Sequence, residues 1–560
     1  MVFQVNPGVV ISEIDNTTVA PAVATTTAAF VGNFRWGPAQ KVTTITNEVE
    51  LVSIFGAPDA TSSVDFHTAA YFLKYGNNLK VVRELTSAAF NANAGGHATT
   101  LVKNRTNFDS QTLSFANVGL WVAKYPGALG NSLKVSLFAF TDSNVETDFA
   151  AWAYAANFDA APGTSAYAAA RSGSNDEMHI IVIDEDGLFT GTPGTTLEKF
   201  SFVSQASDAK NSDGSTNYYV DVINDRSKYI WFGGKDSTNL PSSNTAASGT
   251  DFATADADGV IESSLTAGVD SAALTSSEFA TGWDNFNSTT EEVSLLICPN
   301  LPSGSESTIV NDIAAIAVSR KDCIAFASPE SSDQSASAIK TMADALTATS
   351  YLVVDSGRLK VYDKYNDGYI NIPACSSVAG MVAATEEDFG SWFSPAGYRR
   401  GQLLGVTELY YNPGDTDQAT LYKAGVNPII TKASRGTVLF GDKTHLGRPS
   451  AFDRINVRRL FITLELSLKT AAEDALFEFN DEFTRAQFLN IVEPYLRDVK
   501  GRRGITDFRV VCDETNNTDS VIARNEFVGD IYIRPNYSIN FIKLNFIAVR
   551  STAVFNEIAG

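Results

Sequence analysis

Two stretches near the C-terminus constrain the fold more than any other part of the chain. Val457, Leu460, Phe461, Leu464 and Leu468 recur at helical spacing and form one apolar stripe. Phe488, Ile491, Val492, Tyr495, Leu496 and Val499 form a second. Thr484 with Gln487 fits a capping box, in which each side chain satisfies a backbone N–H at the helix start. Gly501 and Gly504 stop the second helix, with Arg497, Lys500, Arg502 and Arg503 at its negative end. Strand-like runs follow at 507–513 and 527–534, then a longer one at 538–549. Two amphipathic helices feeding a small sheet make a compact module.

At 560 residues the chain is too long for a single core, and several domains are expected. An apolar content of 44% excludes disorder of the whole. The net charge of −22 is unevenly spread. Residues 432–560 carry 18 Lys/Arg and 17 Asp/Glu, whereas residues 1–431 carry 24 against 47. An acidic body argues against nucleic acid, because phosphate contacts need clustered Lys and Arg. Cys298, Cys323, Cys375 and Cys512 stand far apart without a C-x-x-C, so buried free thiols and a reducing compartment are expected. The N-terminus lacks the basic and apolar regions of a secretory leader. No run of about 18 strongly apolar residues offers a membrane span.

Along the chain, 1–24 reads as an extended arm with one short strand containing Val9, Val10, Ile11 and Ile14. Residues 25–87 form a first part of an α/β body, with a strand at 28–34, helices at 47–54 and 64–75, and a strand at 79–84. Residues 88–120 are rich in Ala, Asn, Thr and Gly and read as a linker. Residues 121–287 read as an acidic, β-rich, protruding insertion. Within 141–290, 6 Lys/Arg face 22 Asp/Glu, and strands are expected at 179–183, 218–223 and 228–232. This insertion is expected to be dispensable for assembly. Residues 288–445 return to the body, with strands at 293–298, 323–327 and 351–354 and helices at 306–319 and 335–349, the order of a parallel sheet covered by helices. The C-terminal module spans 446–545. Residues 546–560 form a second arm, with Val554, Phe555 and Ile558 in one short strand. The fold class is therefore α+β and multidomain: a discontinuous α/β body, a helix-plus-small-sheet module, an inserted β-rich domain and two extended arms.

Catalytic signatures are weak. Gly436 to Thr444 nearly matches the phosphate loop, but Asp442 displaces Lys443 by one residue and puts a negative charge where phosphates lie. A strand ending in a turn is the expected structure. His67, His97, His179 and His445 have no ligand spacing, so no zinc site is expected. Asp184 to Gly187 and Asp256 to Gly259 lack a complete calcium ligand set and read as acidic surface turns. Ser337-Ala-Ile-Lys340 reads as a solvated helix face. Neither a cofactor nor a metal is expected. Arg454, Arg458 and Arg459 fall on one side of a helix, as either a surface stripe with local ion pairs or a face that docks on an acidic partner.

FDRINVRRLF (452–461), FEFNDEFTR (477–485), RVVCDETNNT (509–518) and RNEFVGDIYIRP (524–535) resemble the C-terminal domain of contractile phage tail sheath proteins. PGV (7–9), NFRWGPA (33–39), TNEVELVSIFG (46–56), YFLKYGNNLKVVR (71–83), KYPGALGNSLKV (124–135), VYDKYND (361–367) and FSPAGYRRGQ (393–402) are similar to the same family, in order. The resemblance implies a non-enzymatic virion subunit that assembles in the host cytoplasm. It implies hexameric rings stacked helically around a tail tube protein, with baseplate and tail terminator proteins as partners and no membrane insertion. It also implies that both arms pair with neighbouring subunits, and that contraction drives the tube through the host envelope for genome delivery. The three arginines are the expected tube-facing residues. The alternatives are a static viral shell or surface-layer protein, and an NTP-binding α/β enzyme using Lys443.

Overall fold

The computed structural model describes residues 25–234, 244–246, 249–254, 258–333, 335–473 and 475–540. It is a mixed α/β chain that divides into two compact units, 23–388 with 395–455, and 1–22 with 389–394 and 456–560. Both arms, with their seven candidate residues Val9, Val10, Ile11, Ile14, Val554, Phe555 and Ile558, lie outside the described residues.

The larger unit is built on a seven-stranded sheet. Its order is Val426–Asn427, Leu352–Asp355, Ile324–Ala327, Leu295–Ile297, Ala28–Gly32, Leu79–Arg83, Thr43–Ile45. All neighbours are parallel except Thr43–Ile45, which runs antiparallel on Leu79–Arg83. The central strands AAFVG, LLI, IAFA and LVVD are buried along their whole length. Continuous apolar runs of this kind belong to a parallel sheet covered on both faces. The covering helices include Ser63–Phe72, Glu306–Arg320, Ala336–Asp344 and Cys375–Asp388. Chain segments 28–83 and 295–427 thus share one sheet, and everything between them is inserted.

That insertion is centred on an antiparallel sheet, Thr195–Ser204, Glu177–Asp184, Leu133–Ala139, Val260–Ser264. Its core takes in Trp36 and Ala92 from outside 121–287. Trp36 meets Tyr125 and Phe189 edge-on, with ring centroids 5.5 and 5.2 Å away. A cut at 121 therefore passes through a shared core. Two other expectations change. The 88–120 stretch holds short helices, Arg105–Ser110 and Phe115–Val118, and buries Asn91 and Asn93. The run 218–223, expected as a strand, lies mostly in the helix Tyr219–Arg226, which buries Tyr219, Val222 and Ile223 at helical spacing.

The smaller unit contains helices Ile455–Glu473, which begins at its border, and Glu482–Gly501, followed by an antiparallel ribbon of Ile505–Val511 and Asp530–Pro535. Leu460, Leu464 and Leu468 meet Phe488, Val492, Leu496 and Val499 in one core, closed by Trp392 and Ile505. The second helix is capped by Asp481, which accepts from Thr484 N at 2.8 Å, so the expected Thr484–Gln487 box is not the start. A Cβ on Gly504 would lie 2.7 Å from Val499 and 2.9 Å from Trp392, so this glycine is required by close packing.

Candidate assembly surfaces

A two-stranded ribbon is marginal alone, because each strand leaves one row of N–H and C=O groups to water. Among the described residues neither Ile505–Val511 nor Asp530–Pro535 has a second strand neighbour. Residues 541–549 of the expected run 538–549 lie outside the described residues, and among the described ones the module presents two sheet edges. Tyr532 stands 61% exposed on the ribbon.

The turn between the two long helices carries a second surface that the sequence reading missed. Leu476, Phe477, Phe479 and Phe483 are 61, 104, 83 and 75% exposed. Four large apolar side chains this exposed within eight residues are a feature of the kind that marks an interaction site. The signal in the sequence was that FEFNDEF fits neither apolar helix stripe.

The arginines do not form an exposed cluster. Residues 455–460 are all buried, with Arg458 and Arg459 at 6 and 1% exposure. Apolar neighbours Val457 and Leu460 share their helical turns, so this end of the helix is enclosed on every side. Both the surface-stripe and the docking readings needed exposed guanidiniums at 458 and 459, and both are corrected there. Arg454 keeps 17% side-chain exposure, donates to the Tyr422 hydroxyl at 2.7 Å and lies 3.4 Å from Asp442 and 3.6 Å from Asp453.

The remaining motifs are structural. Gly436–Leu439 is a strand paired with Ile429–Lys432. The Lys443 amine donates to the Tyr422 carbonyl at 2.8 Å and its backbone N–H to Asn427 at 2.7 Å, so no phosphate cradle is assembled there. Asp184 is buried rather than a surface turn. Its carboxylate accepts from Ser132 Oγ at 2.6 Å, Phe189 N at 3.0 Å and Thr190 N at 2.8 Å. Residues 255–257 of the second acidic run lie outside the described residues. His67 contacts Asp363 at 3.1 Å, and His179 stacks on Phe158 with centroids 4.3 Å apart. Lys340 pairs with Asp344 on a solvated helix face. All four cysteines are buried free thiols. Among the described residues no three or more His, Cys, Asp or Glu converge as a metal site, and no helix is long and apolar enough to cross a membrane.

Comparison with known proteins agrees with a structural reading. Residues 25–83 match the tail sheath protein Gp18 domain III N-terminal region, 272–445 the phage tail sheath protein central domain, and 448–548 the phage tail sheath C-terminal domain. The chain is 30% identical to the tail sheath protein of Vibrio phage KVP40, over 99% of both chains. It is also 30% identical to that of Enterobacteria phage T4, again over 99% of both. A sheath tail protein from Listeria innocua shares the fold at a TM-score of 0.54 and 12% identity, over 92% of this chain and 96% of that one. The contracted helical sheath of the anti-feeding prophage does so at 0.51 and 15%, over 98 and 99%. These relatives are structural proteins, not enzymes. With three sheath-domain matches in order and an end-to-end alignment to curated relatives, the chain belongs to the phage tail sheath protein family.

Proposed function

We propose that this chain is the subunit of a contractile sheath, stacked as hexameric rings around an inner tail tube. The observation that carries the reading is the two-edged ribbon of the C-terminal module, in a chain of this family. An isolated strand costs roughly 1–2 kcal/mol per residue to order and gains little over hydration. Added to a sheet edge, the same strand satisfies its backbone groups and covers the edge. Residues Val9, Val10, Ile11 and Ile14 of one arm, and Val554, Phe555 and Ile558 of the other, add to ribbons of neighbouring copies. Backbone ladders of this kind hold subunits together while their packed surfaces change, which suits a lattice with two stable packings. Contraction between those packings, triggered through the baseplate, drives the tube through the host envelope and delivers the genome.

In this reading the C-terminal module meets the tube protein, with Arg454 a candidate contact. A terminator protein closes the far end, and the lattice is built in the host cytoplasm before it becomes part of the virion. The body, the insertion and the arms are then separate working parts of one subunit. The test is deletion of 1–20 or of 548–560. Each shortened protein is expected to be folded and monomeric, with no striated cylinders by negative-stain microscopy. Normal cylinders from either deletion overturn the arm-exchange reading.

A further inference from the structure

A cleft of about 570 Å³ opens in the larger unit, lined by residues of 38–44 and of the inserted segment. Lys41, Asn104, Arg105, Lys124, Tyr125 and Trp231 are among its lining residues. Lys124 is the lysine of this lining that packs on Trp231. The residue meets Trp231 twice: the indole N–H donates to the Lys124 backbone carbonyl at 2.8 Å, and the Lys124 amine sits 3.3 Å from the centroid of the same ring. Phe108 stacks on that indole at 4.4 Å and fixes it. A long lysine side chain thus packs its amine over a buried tryptophan.

Lys124 is 7% exposed, yet its amine makes no direct ion pair among the described residues. The one hydrogen bond its side-chain amine makes among these residues is a 3.4 Å contact to the Asn224 carbonyl. The nearby carboxylates are committed elsewhere. Asp225 accepts from Arg105 at 2.9 Å, and Glu198 accepts from Ser227 Oγ and Lys228 N, each at 2.8 Å. Burial, with Arg105 adding repulsion and the more distant Glu198 and Asp225 opposing it, pushes the amine down to about 7. A buried amine of this kind sheds its proton readily in the isolated subunit, and a carboxylate arriving from outside would restore the ammonium and pair with it.

The chain itself points to the missing partner. Residues 1–431 carry 47 Asp/Glu against 24 Lys/Arg, so the surfaces that another copy brings are rich in carboxylates. A cationic cleft on an acidic chain is the complement of that chain's own exterior.

We propose that this cleft receives an aspartate or glutamate side chain from a second copy of this chain, which pairs with Lys124 while Lys41 and Arg105 flank the entrance. The proposal rests on the polymeric reading above. The test is zero-length carbodiimide coupling in cylinders grown from mixed nitrogen-14 and nitrogen-15 subunits, read by mass spectrometry. The expected product is a mixed-isotope pair joining a Lys124 peptide to an acidic peptide. Cylinders in which other residues link between copies, while Lys124 stays unlinked or joins only its own Asp225 or Glu198, overturn it.

Lys124→Met supplies the second readout. The full-length variant should fold and melt no lower than the parent, yet need a subunit concentration about tenfold higher to assemble, as expected on losing a close inter-chain charge pair. An unchanged critical concentration overturns the proposal. So does a Lys124-dependent rise in subunit melting temperature with inorganic phosphate or acetate unaccompanied by any inter-copy link, which assigns the cleft to a free anion. Failure of the parent protein to form cylinders under any condition refutes the polymeric reading itself, and this proposal with it.

Discussion

Replacing Arg83 with methionine should destabilise the larger unit by about 3–5 kcal/mol, the usual cost of removing one partner from a buried charged network. Arg83 is fully buried at the end of a central strand. Its guanidinium donates to the carbonyls of Phe34 at 2.7 Å, Gly37 at 2.8 Å, Arg35 at 3.2 Å and Pro126 at 2.7 Å. Three acceptors belong to the body and the fourth to the first turn of the insertion, so one side chain ties the two together. Methionine fills much of the same volume but leaves four carbonyls without this donor, at about 1–3 kcal/mol each before relaxation. The relief of a desolvated charge offsets part of that sum, which brings the net into the stated range. Arg83→Lys should fall between, because an ammonium cannot reach four diverging acceptors as a planar fork does. Five of the six tryptophans lie in this unit and one in the other, so tryptophan fluorescence during urea unfolding of unassembled subunits reports mainly on the right part. The exposed Arg497→Met serves as the control. A loss for Arg83→Met within about 1 kcal/mol of that control would show that the strut is idle and that body and insertion are held by apolar packing alone.

Two further outcomes are expected. The triple variant Phe477→Ser, Phe479→Ser, Phe483→Ser should melt like the parent yet assemble poorly in sedimentation assays, since burying each ring contributes about 1.5–3 kcal/mol to a contact; cylinders of normal yield would remove this patch from the assembly surfaces. Asp355, which accepts from Ser328 and Gly357, is pushed by burial from the ordinary 3.8 up to about 7. The folded chain therefore holds this proton more tightly than the unfolded chain, and the stability it lends is complete below pH 3.8 and lost as pH rises through about 7. Melting curves from pH 5 to 8 should fall less steeply for Asp355→Asn than for the parent, with a residual slope from Asp65, which burial also raises, to about 6; identical slopes would refute the assignment.

What could be read from sequence follows the range of the interactions involved. The strands AAFVG, IAFA and LVVD announce a buried parallel sheet because their neighbours in sequence are enough to show the apolar run and the helices between. The helix stripes of the C-terminal module were legible for the same reason. Tyr219, Val222 and Ile223 also carried helical spacing, but aromatic and β-branched side chains drew the reading toward a strand. Side chains whose partners are remote were not legible. Arg83 bonds across 43 to 49 residues and Trp231 reaches Lys124 across 107. Arg458 and Arg459 looked like a surface because charge is usually solvated, and a single sequence does not show enclosure.

Burial removes charge of both signs from the count. Arg83, Arg320 and Arg358 are buried, at 0, 9 and 3% exposure, and so are Asp65, Glu84, Asp176, Asp184, Glu330, Asp355 and Asp363. The excess of 47 carboxylates over 24 cations in residues 1–431 therefore persists on the face this part of the chain offers to another copy. Copies that meet through such faces repel at low salt unless each brings a cation to the contact. A lattice of this chain therefore needs two things: contacts that do not depend on charge, which the ribbon edges and exposed phenylalanines can supply, and recessed cations within reach of a neighbour, of which Lys124 in its open cleft is one.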